Sequence, residues 1–134
     1  MLILTYHKIR AGDAGGGPGF YTVSRSQLAR HLQALAAAGR RCVGAEALLE
    51  GRAATGVNFI LTFDDATQDH YDIVFPLLQE RALRAVFFVP AAKLNRPGRL
   101  TDAQVRDLAG AGQTIGFHSH EHKRLDVLND DELR

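Results

Sequence analysis

Apolar and polar positions along the chain form short, continuous apolar runs separated by stretches of helical period. Met1-Leu2-Ile3-Leu4-Thr5-Tyr6 reads as a strand that starts at once. Val57 to Phe63 is β-branched and aromatic with almost no polar group, the pattern of a strand buried on both faces of a parallel sheet. Ala85 to Val89 repeats it and Pro90 ends it, and Thr114 to Phe117 is the last such run. Between the runs, Leu28, Leu32 and Leu35 stripe a helix capped by Ser24 or Ser26 and stopped by Gly39. Arg41-Cys42-Val43 predicts a short strand, and Ala45 to Glu50 a short helix. A helix from about Asp69 to Arg81 carries Tyr71, Val74, Phe75 and Leu78 on one side, with Pro76 expected to kink or break it. Thr101 caps a helix through Val105 and Leu108, with Gly110 and Gly112 behind it, and Asn129 caps one more.

Strand centres near residues 60, 87 and 115 recur about every 27 residues, the size of one strand-plus-helix unit. Buried strands alternating with amphipathic helices predict an α/β fold with right-handed crossovers and a parallel sheet. Residues 1–134 are expected to form a single domain, large enough to bury roughly two-thirds of its unfolded surface. In such folds chemistry gathers at the carboxyl ends of the strands. The stretch from Ala11 to Gly19 holds five glycines and one proline and reads as a surface loop. It is not a phosphate cradle, since neither Gly-Lys-Ser/Thr nor G-x-G-x-x-G opens the following helix.

Composition changes this picture little. With 46% hydrophobic and 23% charged residues and a formal charge of +1, the chain gives no reason to expect nucleic-acid or membrane-surface binding. Residues 1–56 carry a charge of about +4 and residues 57–134 about −3, so the acidic excess lies in the second half. Cys42 is the only cysteine, which excludes an internal disulfide, and it reads as a small buried hydrophobe. No apolar stretch approaches the ~20 residues of a membrane span, and the amino terminus lacks a signal-peptide pattern. The expectation is a cytoplasmic protein as the chain stands, or an extracytoplasmic one if a leader preceded it.

Two motifs follow apolar runs and carry candidate chemistry. Leu61-Thr62-Phe63 leads into Asp64-Asp65, and Ile115-Gly116-Phe117 leads into His118-Ser119-His120-Glu121-His122. His118 and His122 are four apart; in a helical turn they share a face, with Cβ atoms about 5–6 Å apart, close enough for both imidazoles to reach one ion. His120 lies between them and should point elsewhere. Alternatively, the two are solvated histidines in a polar loop. Strict strand alternation places only one of Asp64 and Asp65 on a given face, so the backbone must turn for both to serve one site. With a divalent ion, one carboxylate ligates and the other takes a proton from water. The competing reading makes the pair a cap for the helix near Asp69. Magnesium motifs of prenyl-transfer type sit within long helices, and the strand before Asp64 argues against them. His31 and His70 fall on predicted helices and read as solvated or capping residues.

The chain resembles the polysaccharide deacetylase family (the NodB-homology domain, carbohydrate esterase family 4), in its amino-terminal half. The resemblance rests on Leu4-Thr5-Tyr6-His7, the helix ending in Gly39, and Leu61-Thr62-Phe63-Asp64-Asp65. It continues through Ala85-Val86-Phe87-Phe88-Val89 and Ile115-Gly116-Phe117-His118-Ser119-His120-Glu121-His122 to Leu125. It implies a distorted (β/α) barrel and a metal-dependent hydrolase that removes acetyl groups from N-acetylated sugars or glycans. By the same resemblance Asp65, His118 and His122 hold a divalent metal, most often zinc. Asp64 is the general base, Ser119 fixes the loop of the second motif, and His7 takes a substrate-side or packed place. Ala66 stands where members usually have glycine, and Val86 where they usually have threonine. The family's later motifs, including the general-acid histidine, have no counterpart here. The expectation is therefore the amino-terminal half of a longer barrel, a domain completed by self-association or another chain, or an open α/β sheet in its own right. The alternative function is a non-catalytic or partner-completed metal-binding module that lacks the general acid. A cyclic-amide hydrolase on the same scaffold is disfavoured, because that branch tends to lose the metal ligands and this chain keeps all three.

Overall fold

The computed structural model describes residues 1–13, 19–51 and 58–129. Most of the glycine-rich loop, the predicted strand start at Val57 and the helix expected beyond Asn129 lie outside those residues. Within them the chain runs β1 (Leu2–Tyr6), β2 (Lys8–Arg10), β3 (Thr22–Ser24), α1 (Arg25–Ala37), β4 (Arg41–Cys42), α2 (Glu46–Leu49) and β5 (Asn58–Asp64). It continues through a π-helical turn (His70–Val74), α3 (Phe75–Glu80), β6 (Ala85–Val89), a 3-10 turn (Ala91–Lys93), α4 (Asp102–Gly110), β7 (Thr114–Phe117) and a final 3-10 turn (Leu125–Val127).

β1, β5, β6 and β7 lie side by side in that order, all parallel, with β4 paired to the start of β5. Consecutive β5, β6 and β7 are joined through helices, as parallel neighbours require. The register sets Phe63 beside Phe87 and Phe87 beside Ile115. Alternation along the strands then gives the sheet two different faces. On one face Tyr6, Phe63 and Phe87 stack across three strands, with ring centroids 5.6 and 5.3 Å apart. Leu28 and Leu32 of α1, Val74, Phe75 and Leu78, and Leu108 of α4 join them in the core. Each such side chain taken from water contributes about 1.5–3 kcal/mol. On the other face Ile3, Thr5, Ile60, Thr62, Val86 and Phe88 line a half-open groove of about 410 Å³.

Local signals explain most helix boundaries. Ser24, not Ser26, caps α1: its hydroxyl accepts from Gln27 N while the Gln27 side chain accepts from Ser24 N, a reciprocal capping box. Thr101 and Gln104 repeat the arrangement at α4. Two elements differ from expectation. The helix over 69–81 opens as a π turn, and only from Phe75 is it α-helical, with Pro76 in its first turn. Pro76 has no N–H to return to the preceding turn, so the chain widens before the proline and resumes α geometry after it. β2 and β3, on either side of the expected Ala11–Gly19 loop and predicted by no pattern in the sequence, pair in parallel with each other as a separate small sheet. Each has three residues, too few to show a period, and Ile9 N is held from outside by Asp69 Oδ2 at 2.6 Å. No helix among the described residues is long and apolar enough to cross a membrane.

Candidate metal and hydrolytic centre

The carboxyl ends of β1, β5 and β7 bring five chemically capable side chains together: His7, Asp64, Asp65, His118 and His122. Asp64 closes β5 beside Phe88 of β6. The next residues leave the strand with positive φ, +79° at Asp65 and +50° at Ala66. That double left-handed step is the turn that alternation demanded, and it lets two consecutive carboxylates serve one end of the sheet. Neither caps a helix: no side-chain cap bond is made at the π turn, and Asp69 instead bonds Ile9 N.

Asp65 Oδ1 lies 3.0 Å from His122 Nε2 and 3.7 Å from His118 Nε2. The two imidazole nitrogens are 3.1 Å apart. The donor atoms of this trio all fall within 4.8 Å of one another, and it is the one such cluster among the described residues. Asp65 Oδ1 is buried, and despite these neighbours it makes no interaction with hydrogen-bond geometry. Asp64 Oδ1 is buried and unpartnered as well, while Asp64 Oδ2 stands 3.9 Å from His7 Nε2. His7 is half-buried with its ring against Tyr21, 4.8 Å between centroids. A polar pocket of about 150 Å³ adjoins the trio, lined by Asp65, Pro90, Lys93, Arg99, Glu121 and His122.

The histidine pair does not share a helical face as the four-residue spacing suggested. His118 N extends the β6–β7 pairing by donating to Val89 O at 3.1 Å, and the chain then leaves the strand in a loop. Ser119 and His122 both adopt positive φ, +59° and +61°. Ser119 Oγ accepts from His122 N at 2.9 Å and closes the turn that swings the second ring onto the first. Ser119 O and His120 O accept from Ala91 N and Ala92 N, tying the loop to the turn after β6. His120 is exposed and outside the trio.

Two residues near the site carry roles that the sequence reading did not give them. His70 is fully buried, not solvated. Its Nε2 donates to His7 O at 2.5 Å, and its ring packs against Phe63 and Phe87. The sequence signal was present, because His70, Val74 and Leu77 follow helical spacing on the apolar side. Burial lowers its pKa, against the pull of the His7 carbonyl and the charges of Asp69, Asp65 and Asp64. Arg99 is the second residue, its Nη1 donating to Asp65 O at 2.6 Å across 34 residues of sequence. No local pattern could have revealed that contact. His31 is exposed, as expected, with Nδ1 3.0 Å from the Tyr6 hydroxyl. Cys42 is partly buried and donates to Arg84 O at 3.2 Å, and burial raises its thiol pKa, which disfavours the thiolate.

Comparison with known proteins identifies the family and the fold. The family model for polysaccharide deacetylases matches residues 52–134. The chain is 24% identical over 130 residues to YxkH of Bacillus subtilis, a polysaccharide deacetylase homologue, covering 94% of this chain and 44% of the relative. Among solved structures, IcaB from Ammonifex degensii is 28% identical with a TM-score of 0.76, covering 89% of this chain and 53% of that one. The Streptococcus pyogenes deacetylase PplD, solved in complex with acetate, aligns at 23% identity with a TM-score of 0.80, covering 96% and 60%. The chain therefore spans about half the length of the relatives it matches, and its parallel sheet is the corresponding part of their (β/α) barrel.

Proposed function

The chain belongs to the polysaccharide deacetylase family, and we propose that it carries the metal site and general base of a hydrolase that removes acetyl groups from N-acetylated sugars. The observation that supports this reading most is the convergence of Asp65 Oδ1, His118 Nε2 and His122 Nε2. The trio fits a divalent transition ion. Two imidazoles and a carboxylate are the donor set of hydrolytic zinc sites, and the buried Asp65 Oδ1 has no other partner. Nε2 atoms 3.1 Å apart need a shared proton or a shared cation between their lone pairs. When bound, such an ion activates water and polarises a carbonyl; zinc is the leading candidate.

The remaining steps fall to the chain's own side chains. Asp64, outside the ligand trio, presents a buried oxygen without a partner and takes the proton of the attacking water there. The water oxygen adds to the acetyl carbon, the C–N bond breaks, and the proton passes to the departing amine, leaving acetate and a free amino sugar. His7 stands on the substrate side of the same cleft, with Nε2 facing Asp64 Oδ2. Ser119 holds the backbone of His122 and so the direction of its ring. A second reading, a metal-binding module that turns over only when another segment or chain completes the barrel, is favoured by the open groove over the face of the sheet opposite the aromatic stack.

Elemental mass spectrometry of protein purified without chelator tests the proposal, with His118→Ala alongside and acetate release from N-acetylglucosamine oligomers measured in parallel. About one equivalent of metal in the parent and none in the variant supports the site. Acetate release that tracks metal supports catalysis by this chain, and metal without turnover supports the completed-module reading. No metal in the parent after zinc addition overturns the proposal.

A further inference from the structure

Asp65 reaches the trio from a backbone conformation that residues other than glycine seldom adopt, and Ala66 behind it is left-handed too. Consecutive left-handed residues persist only where surrounding contacts over-determine them. Those contacts come from residues 95–100. Pro97 and Gly98, the latter at φ +73°, form the centre of a tight turn of type II character, closed by Arg99 N donating to Arg96 O at 3.0 Å. The turn lies against the Asp65–Gln68 segment. Gln68 N donates to Gly98 O at 3.0 Å, Leu100 N donates to Ala66 O at 2.9 Å, and Thr67 bridges Arg99 in antiparallel fashion.

The far side of this loop is anchored independently of the site. Asn95 N donates to Leu100 O, the Asn95 side chain both donates to and accepts from Asp102 at the start of α4, and Leu100 is fully buried. The loop is therefore a rigid stand. Of its contacts to the Asp65–Gln68 segment, the Arg99 guanidinium alone touches Asp65 itself, through the 2.6 Å bond to its carbonyl. A charge-assisted bond from a planar, permanently charged donor is roughly twice as strong as a neutral one.

We propose that Arg99 is a positioning residue for Asp65, its guanidinium holding the Asp65 carbonyl so that the left-handed backbone keeps the carboxylate aimed at His118 and His122. The inference rests on the reading of that trio as the metal site. Without the guanidinium, the Asp65 carbonyl loses its partner in a partly buried position, and φ at Asp65 relaxes toward conformations that turn Oδ1 away from the imidazoles. Arg99 touches none of the reacting groups in this scheme and acts only through Asp65.

The test is cobalt(II) titration of the full chain and of Arg99→Ala and Arg99→Lys, reading affinity by chelator competition and geometry by the visible d–d bands. Melting of the metal-free proteins runs alongside. Loss of a residue that orients a ligand typically costs about 10–100-fold in metal affinity. Arg99→Ala is expected to show that loss with altered d–d bands and a metal-free melt close to the parent's. Arg99→Lys, which keeps a charged donor, is expected to recover part of the affinity. If Arg99→Ala does not fold, Arg99→Met, which keeps the apolar stem and removes the donor, is judged by the same criteria. Parent-like affinity and bands in Arg99→Ala overturn the positioning role and leave the metal site standing. A parent chain that binds no cobalt overturns both.

Discussion

His70 makes the stability of this fold depend on pH in a calculable direction. It is fully buried, and its bond to His7 O fixes the neutral form with the proton on Nε2. A second proton would go to Nδ1, which is buried and has no acceptor. Burial therefore lowers its pKa, and the His7 carbonyl and the three aspartates only partly offset that. In the unfolded chain a histidine titrates near ~6.5. Between the depressed folded value and ~6.5, the unfolded state binds a proton that the folded state does not. Stability is thus full above ~6.5 and falls on acidification through that window, by up to about 1.4 kcal/mol per pH unit for one proton. His70→Gln removes the titration but keeps a polar side chain. Its packing cost, about 1–3 kcal/mol, is independent of pH and cancels from the slope. Urea unfolding at half-unit steps from pH 5 to 8, with chelator present to silence metal-linked protons, should give a parent curve that falls below ~6.5 relative to the variant's. Parallel curves would show that His70 takes up a proton as readily in the folded protein as in the unfolded chain, refuting the argument from burial.

Other expectations follow from single contacts. Ser119→Ala removes the acceptor of His122 N and should weaken metal binding about tenfold; competition with a chromophoric chelator reads it, and unchanged affinity would mean the loop holds His122 without the hydroxyl. Phe87→Ala removes the ring that stacks on Phe63 and packs against His70 and should cost about 3–5 kcal/mol in urea unfolding; a cost under ~1 kcal/mol would mean the core collapses into the space. Thr101→Ala breaks the capping box of α4 and should cost about 1 kcal/mol, again read by urea unfolding.

The elements most legible in the sequence are those whose burial leaves a pattern in one segment. β6 begins and ends where its apolar run does, because a mostly buried strand shows no polar interruption. β7, at the end of the sheet with no buried residue, keeps its predicted bounds from its apolar run and the glycines before it. β2 and β3 leave no such trace. They are three residues each, and the contact that holds Ile9 comes from Asp69, 60 residues later. Pro76 announced a break, but whether the chain kinks or widens into a π turn depends on what packs around it. His70 sits on an apolar stripe and was still misread, because its residue type weighed more than its position.

At the site the division is sharper. The donor types and their places after two strands are local properties, so Asp64-Asp65 and His118…His122 stand out in one dimension. Their convergence is not local. Six described non-glycine residues have positive φ, and four of them are Asp65, Ala66, Ser119 and His122. Intrinsic preference assigns each of these an extended or right-handed conformation, which would send the donors apart. The fold overrides that preference where the motifs must meet, through the Arg99 and Leu100 contacts on one side and the Ser119 hydroxyl on the other. Local preference and global structure are expected to disagree at functional positions, where conformational cost is offset by contacts elsewhere. The concentration of strained residues on the two motifs is thus evidence for a site that does not depend on the identity of the donors.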